Sequence, residues 1–131
     1  MKMIMNKRKF GAIGEKIAQK YLENNGYEII EKNYYTKNGE IDIIAKKDNY
    51  IIFVEVKTRT SEKYGKPSEA VNKTKKLHMK RSAGIFLKEN NFSKYIIRFD
   101  VIEVYMINGK CEINHIKQII WNKDLKCDIL V

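Results

Sequence analysis

The sequence predicts one α/β domain in which helices flank a central sheet, with the element order α-β-β-β-α-β-β. Segments with apolar residues at helical spacing alternate with short runs rich in isoleucine, valine and aromatic residues. The length of 131 residues, of which 44% are hydrophobic, is typical of a single domain with one core.

The first helix is predicted over residues 11–25, where apolar residues recur at the helical period. Asn25-Gly26 ends it, because glycine readily adopts the left-handed conformation common at helix ends. Residues 1–9 form a short basic N-terminal segment ahead of the domain.

Three strands joined by tight turns follow the first helix, and they are expected to form an antiparallel meander. The third is apolar on both faces until its end, so it is expected to lie centrally and to be covered on both sides. The predicted strands are 27–34, 40–45 and 50–57, and the turn signals are Asn38-Gly39 and Asp48-Asn49.

A second helix is predicted from Ser68 or Asn72, both suitable N-caps, to about Asn90. Strands over 95–104 and 112–116 complete the domain, which is expected to span residues 10–116. The segment 117–131 forms a C-terminal tail whose pattern predicts no element. The apolar residues of the second helix define two alternative buried faces, which periodicity leaves open: Met79, Ala83, Phe86 and Leu87, or Val71, Leu77 and Ile85.

The net charge of +10 favours an anionic partner, of which nucleic acid is the commonest. The alternative is a lysine-rich surface that only keeps the protein in solution. No apolar run approaches the roughly 20 residues that span a bilayer, so no membrane association is expected. Cys111 and Cys127 form no CxxC pair, which argues against a disulfide framework or a zinc site and favours a cytoplasmic protein.

Three charged residues stand inside predicted strands, where an unpaired charge costs several kcal/mol. Asp42 lies between two isoleucines, and Glu55 and Lys57 flank Val56 at the end of the third strand. Residues i and i+2 of a strand share a face, and a hairpin can place Asp42 beside Glu55. Paired carboxylates suit Mg²⁺ or Mn²⁺, and the lysine is then suited to orienting a water molecule. The alternative is a structural salt bridge between Lys57 and one of the two acids.

Several linked motifs make the chain resemble the PD-(D/E)xK nuclease superfamily, and more narrowly the YraN-like family of small bacterial proteins. That family is regarded as predicted endonucleases related to archaeal Holliday-junction resolvases. The motifs are Gly11-Ala12-Ile13-Gly14-Glu15, Ala18, Tyr21-Leu22, Gly26-Tyr27, Gly39-Glu40-Ile41-Asp42, Phe53-Val54-Glu55-Val56-Lys57-Thr58-Arg59, Gly65-Lys66-Pro67-Ser68-Glu69-Ala70-Val71 and Arg98-Phe99-Asp100-Val101.

The resemblance implies a restriction-endonuclease-like fold with a mixed central sheet flanked by helices. It implies that Asp42 and Glu55 bind the metal, with the Val56 backbone carbonyl as a further ligand, and that Lys57 serves the attacking water. It also implies that Glu15 of the first helix reaches the same site. The proline that gives the superfamily its name is absent, since Ile41 precedes the aspartate.

The function expected from these features is metal-dependent hydrolysis of phosphodiester bonds, with DNA favoured over RNA and branched repair or recombination intermediates among the candidate substrates. A set of basic residues is expected to contact the phosphate backbone without reading sequence: Arg59, Lys63, Lys66, Lys73, Lys76 and Lys80. The alternatives are a non-catalytic nucleic-acid-binding module and a partner-binding protein in which the charge is incidental. Resolving a four-way junction requires two active sites and hence a homodimer, which the sequence does not settle.

Five further residues have other expected roles. Asp100, inside the fourth predicted strand, is expected to pair with Arg98 or another basic residue in a structural role. His78 and His115 lack metal-ligand spacing and are expected to be surface or core residues. Tyr34 and Tyr35 are candidates for stacking on bases, although strand tyrosines more often pack against their neighbours.

Overall fold

The predicted order of helices and strands is confirmed in the computed structural model, which describes residues 7–60, 72–92 and 94–120. Within these ranges the elements are α1 (Lys7–Asn24), β1 (Glu28–Thr36), β2 (Gly39–Lys47), β3 (Tyr50–Arg59), α2 (Lys73–Glu89), β4 (Ile96–Ile107) and β5 (Lys110–Ile116). Two of the predicted phosphate-contacting lysines, Lys63 and Lys66, lie outside the described residues. So do Ser68, the alternative start of the second helix, and Val71 of its second candidate face.

The five strands form one mixed sheet in the order β1-β2-β3-β4-β5. The first three strands are the predicted antiparallel meander, and β3 lies at the centre. β4 runs parallel to β3, and α2 lies in the connection between them, as a parallel pair requires. β5 returns antiparallel to β4. The sheet is therefore mixed, with its parallel pair at the most apolar strand.

One hydrophobic cluster lies on each face of the sheet. The α2 face contains Met79, Ala83 and Phe86 packed with aromatic residues of β3 and β4. The α1 face contains Ala18 and Leu22 packed with aliphatic residues of β2, β3 and β4. The first of the two alternative faces of α2 is thus the buried one. On the other alternative face, Leu77 is 36% exposed.

Several elements extend beyond their predicted ends. α1 begins at Lys7 rather than residue 11, so it includes part of the predicted N-terminal segment. The β4–β5 ladder continues to the pair Ile107–Lys110, because Asn108 and Gly109 both take positive φ angles and close a two-residue turn. Asn72 caps α2, and its side chain accepts a hydrogen bond from the Lys75 amide at 2.9 Å.

The first residues of the predicted tail pack onto the domain. The Ile119 amide donates to the Phe99 carbonyl at 2.7 Å, and Ile120 is fully buried in the cluster on the α2 face. The core therefore continues past the predicted boundary at residue 116. Neither of the helices in the described ranges is long and apolar enough to cross a membrane.

Candidate metal centre

β2 and β3 separate at the end of β3, and Asp42 lies at the point of separation. Their paired register ends at Ile43–Val54. Beyond that pair the Asp42 side chain takes the place of a backbone acceptor, since its Oδ2 accepts a hydrogen bond from the Val56 amide at 2.7 Å. Asp42 is therefore held beside Glu55, as the hairpin predicts.

Three carboxylates converge at this position, and we call Glu15, Glu40 and Asp42 the acidic cluster. One oxygen from each lies within 4.8 Å of the other two. Asn33, on β1, links two of them: with its amide nitrogen facing the acids, Nδ2 donates to Glu40 Oε1 at 2.7 Å and to Glu15 Oε1 at 2.8 Å. Asn33 has a φ of 52°, a left-handed conformation that asparagine tolerates better than most residues.

A close contact between α1 and β3 positions Glu15 at the acidic cluster. A Cβ added to Gly14 would lie 1.9 Å from Thr58 Oγ1 and 3.0 Å from Thr58 Cβ. Only glycine fits this contact, because the whole threonine side chain occupies the space. The helix therefore approaches the end of β3 directly, and the next residue along the helix is Glu15.

Glu55 completes the acidic region from the β3 side and is only 5% exposed. Lys57 Nζ lies 3.5 Å from its Oε1, which confirms that the two side chains project together. Lys75 Nζ of α2 lies 3.4 Å from Oε2. That second contact is an ion pair only, because Oε2 is buried and accepts no hydrogen bond. Glu55 thus presents an incompletely satisfied carboxylate oxygen, for which burial is unfavourable.

The neighbouring carboxylates raise the pKa values of Asp42 and Glu15. Burial, followed by the charge of Glu55, raises the pKa of Asp42 to about 8, although the hydrogen bond from the Val56 amide acts in the opposite direction. Burial and the charges of Glu40 and Glu55 also raise the pKa of Glu15, while Lys32 lowers it. A cation bound among these oxygens would relieve the repulsion.

The structure brings the predicted residues Glu15, Asp42, Glu55 and Lys57 together at one end of the sheet. The backbone amide of Val56 contacts Asp42; metal binding by its carbonyl stays a prediction. Glu40 was missed, although its i, i+2 spacing to Asp42 was a usable signal. Lys75 was missed as well, and no local pattern connects it to Glu55.

The predicted phosphate-contacting residues differ in their surroundings. Arg59 Nε pairs with the buried Glu103 at 3.0 Å, so this N–H group is not available to a phosphate. Lys73 is exposed and Lys76 is half-buried, whereas Lys80 is only 9% exposed. Of these three lysines, Lys80 is therefore the least suited to contact DNA.

A second set of polar side chains links β4, β5 and α1, on the face of the sheet that α1 covers. Asp100 pairs with Arg98 at 2.8 Å, which confirms the predicted pairing, and His115 Nε2 lies 2.7 Å from the same carboxylate. Tyr21 completes the chain, with its hydroxyl 3.0 Å from His115 Nδ1. Burial alone would raise the pKa of Asp100, but hydrogen bonds from His115 and Arg98 keep it below its ordinary value. These partners identify a structural network that ties three elements together.

The two candidate stacking tyrosines have different environments. Tyr34 packs edge-on against Phe86, with ring centroids 5.3 Å apart, and its hydroxyl donates to Glu89. Tyr35 is 73% exposed. Tyr34 is therefore a packing residue, and Tyr35 alone is available to a ligand.

These features define a class of α/β domain: a five-stranded mixed sheet, covered by a helix on each face, with clustered carboxylates where two strands separate. Comparison with known proteins then gives the family. A family model described as uncharacterised protein family UPF0102 matches residues 14–104, and the chain belongs to that family.

Curated relatives agree with this assignment. The chain is 49% identical over 115 residues to a UPF0102 protein of Caldanaerobacter subterraneus subsp. tengcongensis, covering 86% of this chain and 94% of that protein. It is 50% identical over 115 residues to a UPF0102 protein of Caldicellulosiruptor saccharolyticus, covering 86% and 98%. A solved structure titled "Crystal structure of SSO0001" aligns with 90% of this chain and 55% of that one, at 19% identity and a TM-score of 0.36, a likeness too low to carry an argument.

Proposed function

We propose that this protein is a divalent-metal-dependent endonuclease that hydrolyses phosphodiester bonds of DNA. The observation that carries the proposal is the buried Glu55 Oε2, which lacks a hydrogen bond beside an acidic cluster of three further carboxylates. A buried carboxylate rarely lies beside half-buried ones without a cation. A domain with a net charge of +10 therefore concentrates acidic groups at one point, where they suit a metal rather than the DNA backbone itself.

The donor atoms fit Mg²⁺ or Mn²⁺, which prefer oxygen ligands and retain several water molecules. Glu15, Glu40 and Asp42 would hold the ion, with Glu55 and the Val56 carbonyl contributing from β3. When bound, the ion supplies Lewis-acid polarisation of the scissile phosphate and activation of a water molecule. The ligand set expected from the sequence does not include Glu40, and we add it here.

Lys57 contributes a positive charge at the edge of the site. Its side chain is 38% exposed while its ammonium lies 3.5 Å from Glu55, so it can face both the carboxylate and an incoming phosphate. In that position it orients the attacking water and offsets the negative charge that develops on the phosphate. Lys75 balances the charge of Glu55 from the α2 side of the site.

The relation to PD-(D/E)xK nucleases and archaeal Holliday-junction resolvases is part of this proposal. It is supported by Asp42 on one strand, Glu55 and Lys57 on the next, and Glu15 on the preceding helix, all meeting at one end of the sheet. Lys73 and Lys76 extend positive charge along α2, where they would contact DNA backbone. Resolution of a four-way junction would require a homodimer, since one site cuts one strand.

The second candidate is a non-catalytic nucleic-acid-binding module. It is favoured by one observation, the two lysine ammonium groups that already accompany Glu55 at 3.4 and 3.5 Å. If those ion pairs alone balance the acidic charges, the site needs no metal. This candidate predicts salt-sensitive DNA binding that EDTA does not change.

The two candidates are separated by incubating the protein with labelled linear duplex, single-stranded, flap and four-way-junction DNA in Mg²⁺, Mn²⁺ or EDTA. The test variants are Asp42→Asn and Glu55→Gln, and the matched control is Glu23→Gln on the exposed side of α1. We expect metal-dependent cleavage that both test variants abolish and the control retains. DNA binding without cleavage under every metal condition would favour the binding module instead.

A further inference from the structure

An open groove begins at the acidic cluster and runs along the first turns of α1. In the part of the chain that the structure describes, Arg8, Gly11 and Ala12 line it from the helix, and Tyr35 lines it from β1. Glu15 and Glu40 belong both to the groove and to the cluster. Whatever occupies the groove therefore lies directly beside the proposed metal centre.

Tyr35 is the aromatic surface of this groove. At 73% exposure it is more exposed than any other large hydrophobic side chain among the described residues, and no described aromatic ring or cation packs on it. Its register partner across the hairpin is Glu40. Directly opposed residues of an antiparallel pair have Cβ atoms about 5 Å apart, so the ring lies next to a cluster carboxylate.

The other lining residues suit a nucleotide strand. Gly11 leaves open space, since a Cβ added there would meet no atom within 4 Å. Arg8 is exposed and supplies a cation for a backbone phosphate. An aromatic face and a cation beside it are the two features with which proteins bind single-stranded nucleic acid, by stacking on bases and pairing with phosphates.

We propose that this groove binds an unpaired segment of DNA, with one base stacked on Tyr35 next to the phosphate to be cleaved. The bases of a continuous duplex are stacked on one another, so only the base of an unpaired nucleotide can stack on the Tyr35 ring. The inference rests on the proposed function for its choice of DNA, and it restricts the substrate class to DNA with a single-stranded segment at the cleavage site.

Binding measured apart from cleavage tests this proposal. Fluorescence anisotropy follows the binding of labelled oligothymidylate, and of a duplex of the same length, in Ca²⁺, with a gel to verify that each probe stays intact. The test variant is Tyr35→Leu, which removes the ring but keeps an apolar residue in β1. The control is Tyr35→Phe, which keeps the ring and removes the hydroxyl. Thermal unfolding of each variant verifies that the exposed substitution leaves the fold unchanged.

We expect Tyr35→Leu to weaken oligothymidylate binding roughly 5- to 150-fold, the loss of one stacked base, while duplex binding and Tyr35→Phe stay at wild-type values. Equal affinity of Tyr35→Leu and wild type for oligothymidylate would overturn the inference. So would an equal loss of affinity for oligothymidylate and for the duplex, or the failure of wild type to bind oligothymidylate. This binding assay needs no turnover, so its outcome does not depend on nuclease activity. The cleavage experiment tests the nuclease proposal separately.

Discussion

Replacing Asp42 by asparagine should make the metal-free protein more stable at neutral and mildly alkaline pH. The pKa of Asp42 rises from an ordinary value of 3.8 to about 8 in the folded protein, chiefly because the group is buried and lies beside Glu55. Between these values the folded state retains a proton that the unfolded chain releases. The free energy of unfolding must therefore fall as the pH increases from about 4 to about 8.

The magnitude follows from the size of the pKa difference. Each pKa unit corresponds to about 1.4 kcal/mol, so the penalty at about pH 8 is on the order of 5 kcal/mol. That is comparable with the whole stability of a small domain. Asparagine removes the charge, and its Oδ1 can still accept the hydrogen bond that the Val56 amide donates to Asp42. The variant should therefore be more stable than wild type by several kcal/mol at about pH 8 in EDTA.

Urea unfolding in EDTA at about pH 5 and about pH 8 measures this effect, with Asp48→Asn as the matched control. Asp48 is exposed in the β2–β3 turn and has a φ of 53°, which asparagine also adopts. Mg²⁺ should restore stability to wild type and to the control, but not to Asp42→Asn. A wild-type unfolding free energy that stays constant or increases over this pH range would contradict a raised pKa of Asp42 in the folded protein.

Three further predictions concern other parts of the structure. Gly14→Ala should displace α1 from β3 and reduce the thermal stabilisation that Mg²⁺ gives, and the double variant with Thr58→Gly should recover part of that stabilisation. Equal stabilisation of wild type, the single variant and the double variant would count against the close contact. Asp100→Asn should lower the free energy of unfolding, measured with urea, by roughly 3–5 kcal/mol, because Arg98 and His115 lose the charge of a buried partner. An unchanged free energy of unfolding would contradict the structural role of the network. DNA affinity should fall steeply with added salt, and Lys73→Gln should reduce the slope of that dependence in anisotropy titrations; an unchanged slope would exclude Lys73 from the contact surface.

The sheet was predictable because its signals are local. Turn residues mark both hairpins of the meander, and the apolar run at 50–57 identifies the central strand. The pairing of Glu55 with Lys57 followed from strand geometry alone. Asp42 could be placed beside Glu55 because one short turn joins their strands.

The features that sequence reasoning missed depend on contacts between distant segments. Arg59 is engaged by Glu103, and Lys75 reaches Glu55 from a separate helix. Glu40 is the exception, because its i, i+2 spacing to Asp42 is a local signal that places both side chains on one face of β2. The buried face of α2 could not be chosen from periodicity, since apolar residues occur on both sides of that helix.

The proposed metal centre is tested most directly by Mn²⁺ binding, measured by electron paramagnetic resonance, in wild type and in the variants Glu40→Gln, Asp42→Asn and Glu23→Gln. We expect saturable binding to wild type and to Glu23→Gln, with clearly weaker binding to the two cluster variants, because carboxylate ligands dominate affinity at such a site. Failure of wild type to bind Mn²⁺, or equal binding by all four proteins, would contradict the assignment of Glu15, Glu40 and Asp42 as a metal centre.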